Sequence, residues 1–287
     1  MKYAYYPGCS AHSTARDSYQ STLAVARSLG IDLIEPEGWS CCGATAAHQT
    51  DRVLAAALPA ANLVLAQKMG MEMIATCAAC FNRLKMANHE VTAHQEMRTR
   101  VGDAIGCDYD GSVKVRHFME VLSDDVGYDV IRGALKRSLN GLRVTCYYGC
   151  LMVRPYEVMQ FDDPENPQSL ERLVTLMGGE SLDWPHKVEC CGGSLSLTRT
   201  DVVVRLTDAI IGMAKAAGAE CIAVTCPMCQ SNLDLRQADI EKQLGTRHDM
   251  PIVYMTQLLG LCLGIPSEEL GMNKLMVSAD NVIANLG

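Results

Sequence analysis

A chain of 287 residues, 48% of them apolar, can bury a substantial core as one large domain or as two of ordinary size. A net charge of −8 with no Lys/Arg-rich block argues against nucleic acid or anionic membrane as the main partner, and no apolar run reaches the roughly 18 residues of a membrane span. The start, MKYAYYPGCS, lacks the basic and apolar regions of a secretion signal, so a reducing cytoplasm is expected, where 14 cysteines imply metal ligation or redox chemistry rather than disulfides.

Taken in order, Lys2 to Tyr6 reads as a strand that delivers Cys9 after Pro7-Gly8. Apolar positions at helical spacing run from about Ser13 to Leu29 and stop at Gly30. Ile31 to Ile34 is a second strand, followed by a loop with Trp39 and Cys41-Cys42-Gly43. A helix from about Asp51 to Met69, kinked or divided at Pro59, ends at Gly70. Met71 to Thr76 is a buried strand feeding Cys77-Ala78-Ala79-Cys80; two helices and a strand near Val113 to Arg116 follow. The second half repeats this order. Its strand is Arg143 to Tyr148, with Tyr147-Tyr148 set against Tyr5-Tyr6; then come a helix from Ser169, a strand from Ser181 to Trp184, a helix from Asp201 to Ala217 and a strand from Cys221 to Thr225. His117 to Leu122 corresponds to Tyr254 to Leu259, which carries the repeat beyond the cysteines, and the boundary falls near Ser138 to Leu142, dividing the chain into 1–138 and 139–287.

Strands alternating with long helices imply an α/β fold in which each half is a small parallel sheet flanked by helices. In such folds the loops after strand carboxyl ends form the sites, and all the candidate cysteines are expected on such loops.

Those cysteines form two matched sets. Cys9 precedes Cys41-Cys42 by 31 residues, which precede Cys77 and Cys80 by 34; Cys150 precedes Cys190-Cys191 by 39, which precede Cys226 and Cys229 again by 34. Two equal gaps ending in C-x-x-C point to duplication, with function where the halves meet. Five thiols per set fit neither the closed tetrahedron of structural zinc nor the four ligands of a cubane cluster. A larger or differently shaped iron–sulfur cluster is favoured over zinc, and the glycines after each double cysteine let backbone amides approach the sulfurs.

The pattern C-x31-C-C-G-x33-C-x2-C, repeated as C-x39-C-C-G-x33-C-x2-C, resembles the CCG domain motif. Two such domains without an attached ferredoxin module resemble the B-type subunit of heterodisulfide reductase, and the resemblance covers nearly the whole chain. It implies two noncubane [4Fe-4S] clusters related by a pseudo-twofold axis, one on Cys9, Cys41, Cys42, Cys77 and Cys80 and the other on Cys150, Cys190, Cys191, Cys226 and Cys229. It further implies that a disulfide is reduced, or formed, between the clusters, with no catalytic residue beyond the cluster irons. Electrons would arrive through an iron–sulfur protein like the reductase's C-type subunit and a flavoprotein like its A-type subunit. CCG domains also resemble parts of quinone-linked dehydrogenase complexes, where the clusters would only relay electrons.

Outside the sets, Cys107, Cys146, Cys221 and Cys262 read as small buried hydrophobes, with Cys146 a substitute for Cys150 at most. His12, His48 and His186 lie near cysteine loops as candidate proton donors, against the ordinary reading of loop histidines. Lys187 and Arg83 are candidates to offset cluster charge or meet an anionic substrate, against solvated surface charge.

Overall fold

The computed structural model describes residues 1–44 and 47–287. The first half comprises β1 (Lys2–Tyr6), α1 (Arg16–Ser28), β2 (Asp32–Ile34), α2 (Ala47–Thr50), α3 (Arg52–Met69), β3 (Met73–Ala75), α4 (Ala78–Ala93), α5 (Gln95–Ile105), β4 (Val115–His117), α6 (Phe118–Glu120) and α7 (Tyr128–Ala134). The second comprises β5 (Arg143–Tyr147), α8 (Tyr156–Met159), α9 (Ser169–Leu176), β6 (Glu180–Ser181), α10 (Thr200–Ala216), β7 (Cys221–Val224), α11 (Pro227–Leu235), α12 (Gln237–Leu244), β8 (Ile252–Tyr254), α13 (Met255–Cys262) and α14 (Asp280–Ala284).

Each half holds one four-stranded, wholly parallel sheet, ordered β2-β1-β3-β4 and β6-β5-β7-β8. The central strands β3 and β7 are buried along their whole length, as strands covered by helices on both faces must be, which is why they read as unbroken apolar runs. The expected strand at Ser181 to Trp184 shrinks to two residues, because Leu182 still bonds Val144 but the chain then turns so that the Trp184 indole donates to the Cys146 carbonyl at 2.9 Å. Nor does Pro59 divide α3. The helix runs unbroken from its Asp51 cap, whose carboxylate accepts from Leu54 N, to Gly70 in the left-handed conformation. Its packing against α4 and α5 outweighs the one backbone bond that proline removes.

The repeat register also differs from the expected one. Tyr6 pairs with Ala75 and Tyr147 with Val224, each partner lying two residues before its C-x-x-C, so Tyr147 matches Tyr6 rather than Tyr5. The two hydroxyls do the same work: Tyr6 donates to Ser40 O at 2.7 Å and Tyr147 to Glu189 O at 2.6 Å, each pinning the residue before a double cysteine.

The halves pack reciprocally. α13, from the second half, lies on α1, and α7, from the first, lies on α9. The Ser21 and Thr256 hydroxyls meet at 2.7 Å in the first of these contacts. This exchange relates the halves by a pseudo-twofold axis.

His117, at the end of β4, is fully buried near that axis. Met119 N donates to its Nδ1 at 3.2 Å, so the proton sits on Nε2, which donates to Thr76 O at 2.8 Å. Burial holds its pKa down to about 4. A depressed histidine stabilises the fold above its unfolded pKa, near 6.5, and that contribution is lost as the pH falls toward 4; the expected loss is about 3 kcal/mol. Chemical denaturation across this window should show the slope in the native chain and lose it in His117→Asn; an unchanged slope would refute the assignment.

Candidate iron–sulfur site

The site is built from the carboxyl ends of six strands. Cys9 and Cys150 follow β1 and β5, and the double cysteines lie on the loops after β2 and β6. Of the remaining four, only Cys80 and Cys229 depart from the expected loops; Cys77 and Cys226 end the short links that follow β3 and β7. Cys77 and Cys226 are the N-cap residues of α4 and α11, and Cys80 and Cys229 sit in the first turns of those helices. A C-x-x-C that begins at a helix cap places both of its cysteines in the first turn, at the amino end of the helix.

Each double cysteine is followed by a glycine in the left-handed conformation, Gly43 at φ 72° and Gly192 at φ 76°. This turn aims the glycine amide at the first sulfur of the pair: Gly43 N lies 3.4 Å from Cys41 Sγ and Gly192 N 3.3 Å from Cys190 Sγ. A second glycine guards the other end. A β-carbon at Gly8 would lie 3.1 Å from Cys80 Sγ, and one at Gly149 would lie 3.1 Å from Cys229 Sγ.

Sulfurs pair within each set and across the halves. Cys42 Sγ lies 3.5 Å from Cys80 Sγ, and Cys191 Sγ lies 3.6 Å from Cys229 Sγ. Between the halves, Cys77 Sγ lies 3.8 Å from Cys226 Sγ, and both residues are buried. The crowded sulfurs share protons unequally. Contacts with Cys41 and Cys80 hold Cys42 down to about 3, and contact with Cys150 holds Cys190 down to about 6. Cys80 and Cys229 are pushed up by their contacts with Cys42 and Cys191, and burial adds to the rise. In each contact one sulfur is favoured as the thiolate at the expense of its neighbour.

A cavity of about 160 Å³ opens onto the second set, with Cys150, Cys190, Cys191, Cys226 and Cys229 in its wall. The first half closes it with Ala78, Ala79, His48 and Arg83.

The other sequence candidates fall elsewhere. His12 is half-exposed and paired with Glu35 at 3.0 Å, and His186 stacks on Trp184; neither lines the cavity. Lys187 is 3% exposed and bound to Glu171 at 3.1 Å, Asp183 at 3.2 Å and Asn166 at 2.8 Å, so it is neither solvated surface charge nor a cavity residue. It supports the Cys150 loop instead, its carbonyl accepting from Tyr148 N and Gly149 N. Cys146, Cys221 and Cys262 are buried in the core, while Cys107 is half-buried.

Two asparagines escaped the sequence reading. Asn82, fully buried on α4, donates to Leu151 O at 3.2 Å and Arg154 O at 2.8 Å, clasping the loop that follows Cys150. Asn232, on α11, donates to Cys191 O at 3.0 Å. Their shared signal was a polar residue two or three places after each C-x-x-C, visible only with the cysteine repeat as a ruler.

Two parallel-sheet units with matched five-cysteine sets meeting at their strand ends define a duplicated cysteine-rich protein. The cysteine-rich CCG domain family matches the chain twice, over residues 3–85 and 144–234. The chain is 33% identical to the 8-methylmenaquinol:fumarate reductase membrane anchor subunit of Wolinella succinogenes, over 97% of this chain and 98% of that one. It is 28% identical to the B-type subunit of the ferredoxin/F(420)H(2)-dependent CoB-CoM heterodisulfide reductase of Methanosarcina acetivorans, over 95% and 93% of the two chains. A protein of Archaeoglobus profundus, named for its likeness to the same B-type heterodisulfide reductase subunit, is 29% identical over 94% and 93%. Among solved structures, a hypothetical protein from Helicobacter pylori shares the fold with a TM-score of 0.79 at 10% identity; the match spans 97% of this chain and 52% of that one. The chain belongs to the family of B-type heterodisulfide reductase subunits, with two CCG domains.

Proposed function

We propose that this chain is the iron–sulfur subunit of a reductase, acting on a disulfide or its thiols within a cytoplasmic complex. Residues 1–138 and 139–287 form one cysteine-rich domain each. In this reading Cys9, Cys41, Cys42, Cys77 and Cys80 hold one noncubane [4Fe-4S] cluster, and Cys150, Cys190, Cys191, Cys226 and Cys229 hold the other. The donor set fits such a group: each half offers five cysteines, with Cys42, Cys77, Cys80, Cys191, Cys226 and Cys229 buried and Cys9, Cys41, Cys150 and Cys190 on its more open side.

The observation that carries the reading is the 3.8 Å contact of Cys77 with Cys226, which brings the two sets face to face beside a cavity open to one of them. Disulfide cleavage takes up two electrons and two protons and releases two thiols. When bound, the clusters supply electrons one at a time and iron sites for sulfur. The protein's own part is to exclude water with Ala78, Ala79 and Met228, to hold the Cys150 loop through Asn82, and to present Arg83 and His48 to the bound molecule. Electrons are supplied by an iron–sulfur protein of the C-type and a flavoprotein of the A-type heterodisulfide reductase subunits.

One observation favours a second reading. The Wolinella relative is by its name a membrane anchor subunit of a methylmenaquinol-linked reductase, so the clusters here would relay electrons to or from a quinone. Among the described residues no helix is long and apolar enough to cross a membrane.

Anaerobic purification with iron and acid-labile sulfide analysis, then EPR of the oxidised protein with thiols added, separates the readings. About eight irons per chain and a thiol-dependent paramagnetic signal are expected. The same iron without a thiol response selects the relay, and zinc without iron removes both.

A further inference from the structure

The loops that carry Cys150 and Cys190 are joined twice over. Tyr148 N and Gly149 N both donate to Lys187 O, at 2.8 and 3.1 Å. Behind that backbone link lies Glu171 of α9, which is 7% exposed. One of its oxygens accepts from the Tyr148 hydroxyl, and the other lies 3.1 Å from Lys187 Nζ. Backbone and side chains thus close a ring through Tyr148, Glu171 and Lys187, and Leu170 N adds a bond of 2.8 Å to the Tyr148 oxygen. Burial would depress the Lys187 ammonium, but Glu171 beside it raises its pKa overall, so the pair stays charged where little water competes for it. Tyr148, Gly149, Cys150 and Cys190 all line the cavity, so the ring also fixes its wall.

The first half is built without this ring. In the register set by Tyr6 and Tyr147, Tyr148 corresponds to Pro7, which has no N–H to donate. Lys187, three residues before its double cysteine, corresponds to Gly38, which has no side chain. The Cys9 and Cys41 loops are joined through Glu35 instead, whose carboxylate meets His12 Nε2 at 3.0 Å and Trp39 Nε1 at 2.5 Å. That link sits on the rim, with His12 half-exposed, where water and salt weaken it. Cys9 and Cys41 are both exposed, whereas Cys150 is half-buried.

We propose that Glu171 is a positioning residue for the second thiol set: through Tyr148 and Lys187 it locks the Cys150 and Cys190 loops together, so the half under the cavity holds its iron while the first half exchanges its own more readily. The inference rests on the ligand assignment above.

The test follows iron release from the anaerobic, iron-replete protein to the chelator ferrozine. The native chain is expected to give two phases of about four irons each. Replacing Cys190 and Cys191 by alanine should leave only the fast phase, and replacing Cys41 and Cys42 only the slow one. Glu171→Gln and Tyr148→Phe should each speed the slow phase at least about tenfold, with the fast phase unchanged. Because both cut one ring, the double variant should release iron little faster than the faster of the two single variants. A role in general stability would speed both phases together and overturn the proposal, as would a slow phase unchanged in either variant. So would a native chain whose two sets release iron at one rate, or whose second set empties first; this comparison decides even should a variant fail to fold. About eight irons lost at a single rate would leave the ligand assignment standing, whereas a chain that binds no iron removes that assignment and this inference with it.

Discussion

Replacing Cys190 and Cys191 together by alanine is expected to lower the iron content from about eight atoms per chain to about four and to abolish the thiol-dependent signal. These two thiols occupy the loop after β6, where Gly192 N faces Cys190 Sγ at 3.3 Å and Cys229 Sγ lies 3.6 Å from Cys191 Sγ. Without them only Cys150, Cys226 and Cys229 of the proposed second set remain, three thiols where the proposed cluster takes five. The mirrored variant, Cys41→Ala with Cys42→Ala, should also lose about half the iron but keep the thiol response, because the cavity opens onto the second set. Iron analysis and EPR on the two variants check both statements. Eight irons retained in either would overturn the ligand assignment, and a thiol signal that followed the first set would overturn the placement of substrate.

Asn82→Ala is expected to destabilise the protein by about 2–4 kcal/mol, since it removes a fully buried amide that donates to the part-buried carbonyls of Leu151 and Arg154. In a chain of this size that corresponds to a fall in Tm of roughly 5–10 °C. The clasp joins α4 to the loop after Cys150, so its loss should loosen the contact between the halves rather than one half's core. Asn82→Asp should cost at least as much, because it sets a carboxylate against two carbonyl oxygens. Thermal unfolding of the three proteins, monitored by circular dichroism, is the check. A change below about 1 kcal/mol in the alanine variant would show that water satisfies both carbonyls and that the clasp is not structural.

Much of this architecture was legible in the sequence. The strands at Lys2 to Tyr6 and Cys221 to Val224 and the helices at Arg16 to Ser28 and Thr200 to Ala216 announced themselves through apolar period and glycine stops, which act over a few residues. The cysteine spacing, read against itself, gave the duplication and the ten candidate ligands, because a repeat is a property of the chain. Where the reading erred, a distant partner decided the outcome. Trp184 leaves its strand to reach Cys146 O, α3 is carried through Pro59 by helices packed beside it, and Tyr147 takes the register of Tyr6 because its hydroxyl must reach the loop before Cys190.

By itself, then, the sequence determined the α/β class, the two-fold repetition and the two matched cysteine sets, all of which depend on spacing along one chain. Only the tertiary structure decided that the two sets touch at Cys77 and Cys226, that Lys187 is sealed in an ion pair, and that the cavity over the second set is closed by residues of the first half. Those are facts about surfaces brought together by folding, where burial and charge pairing depend on which residue arrives opposite, and no local pattern encodes that.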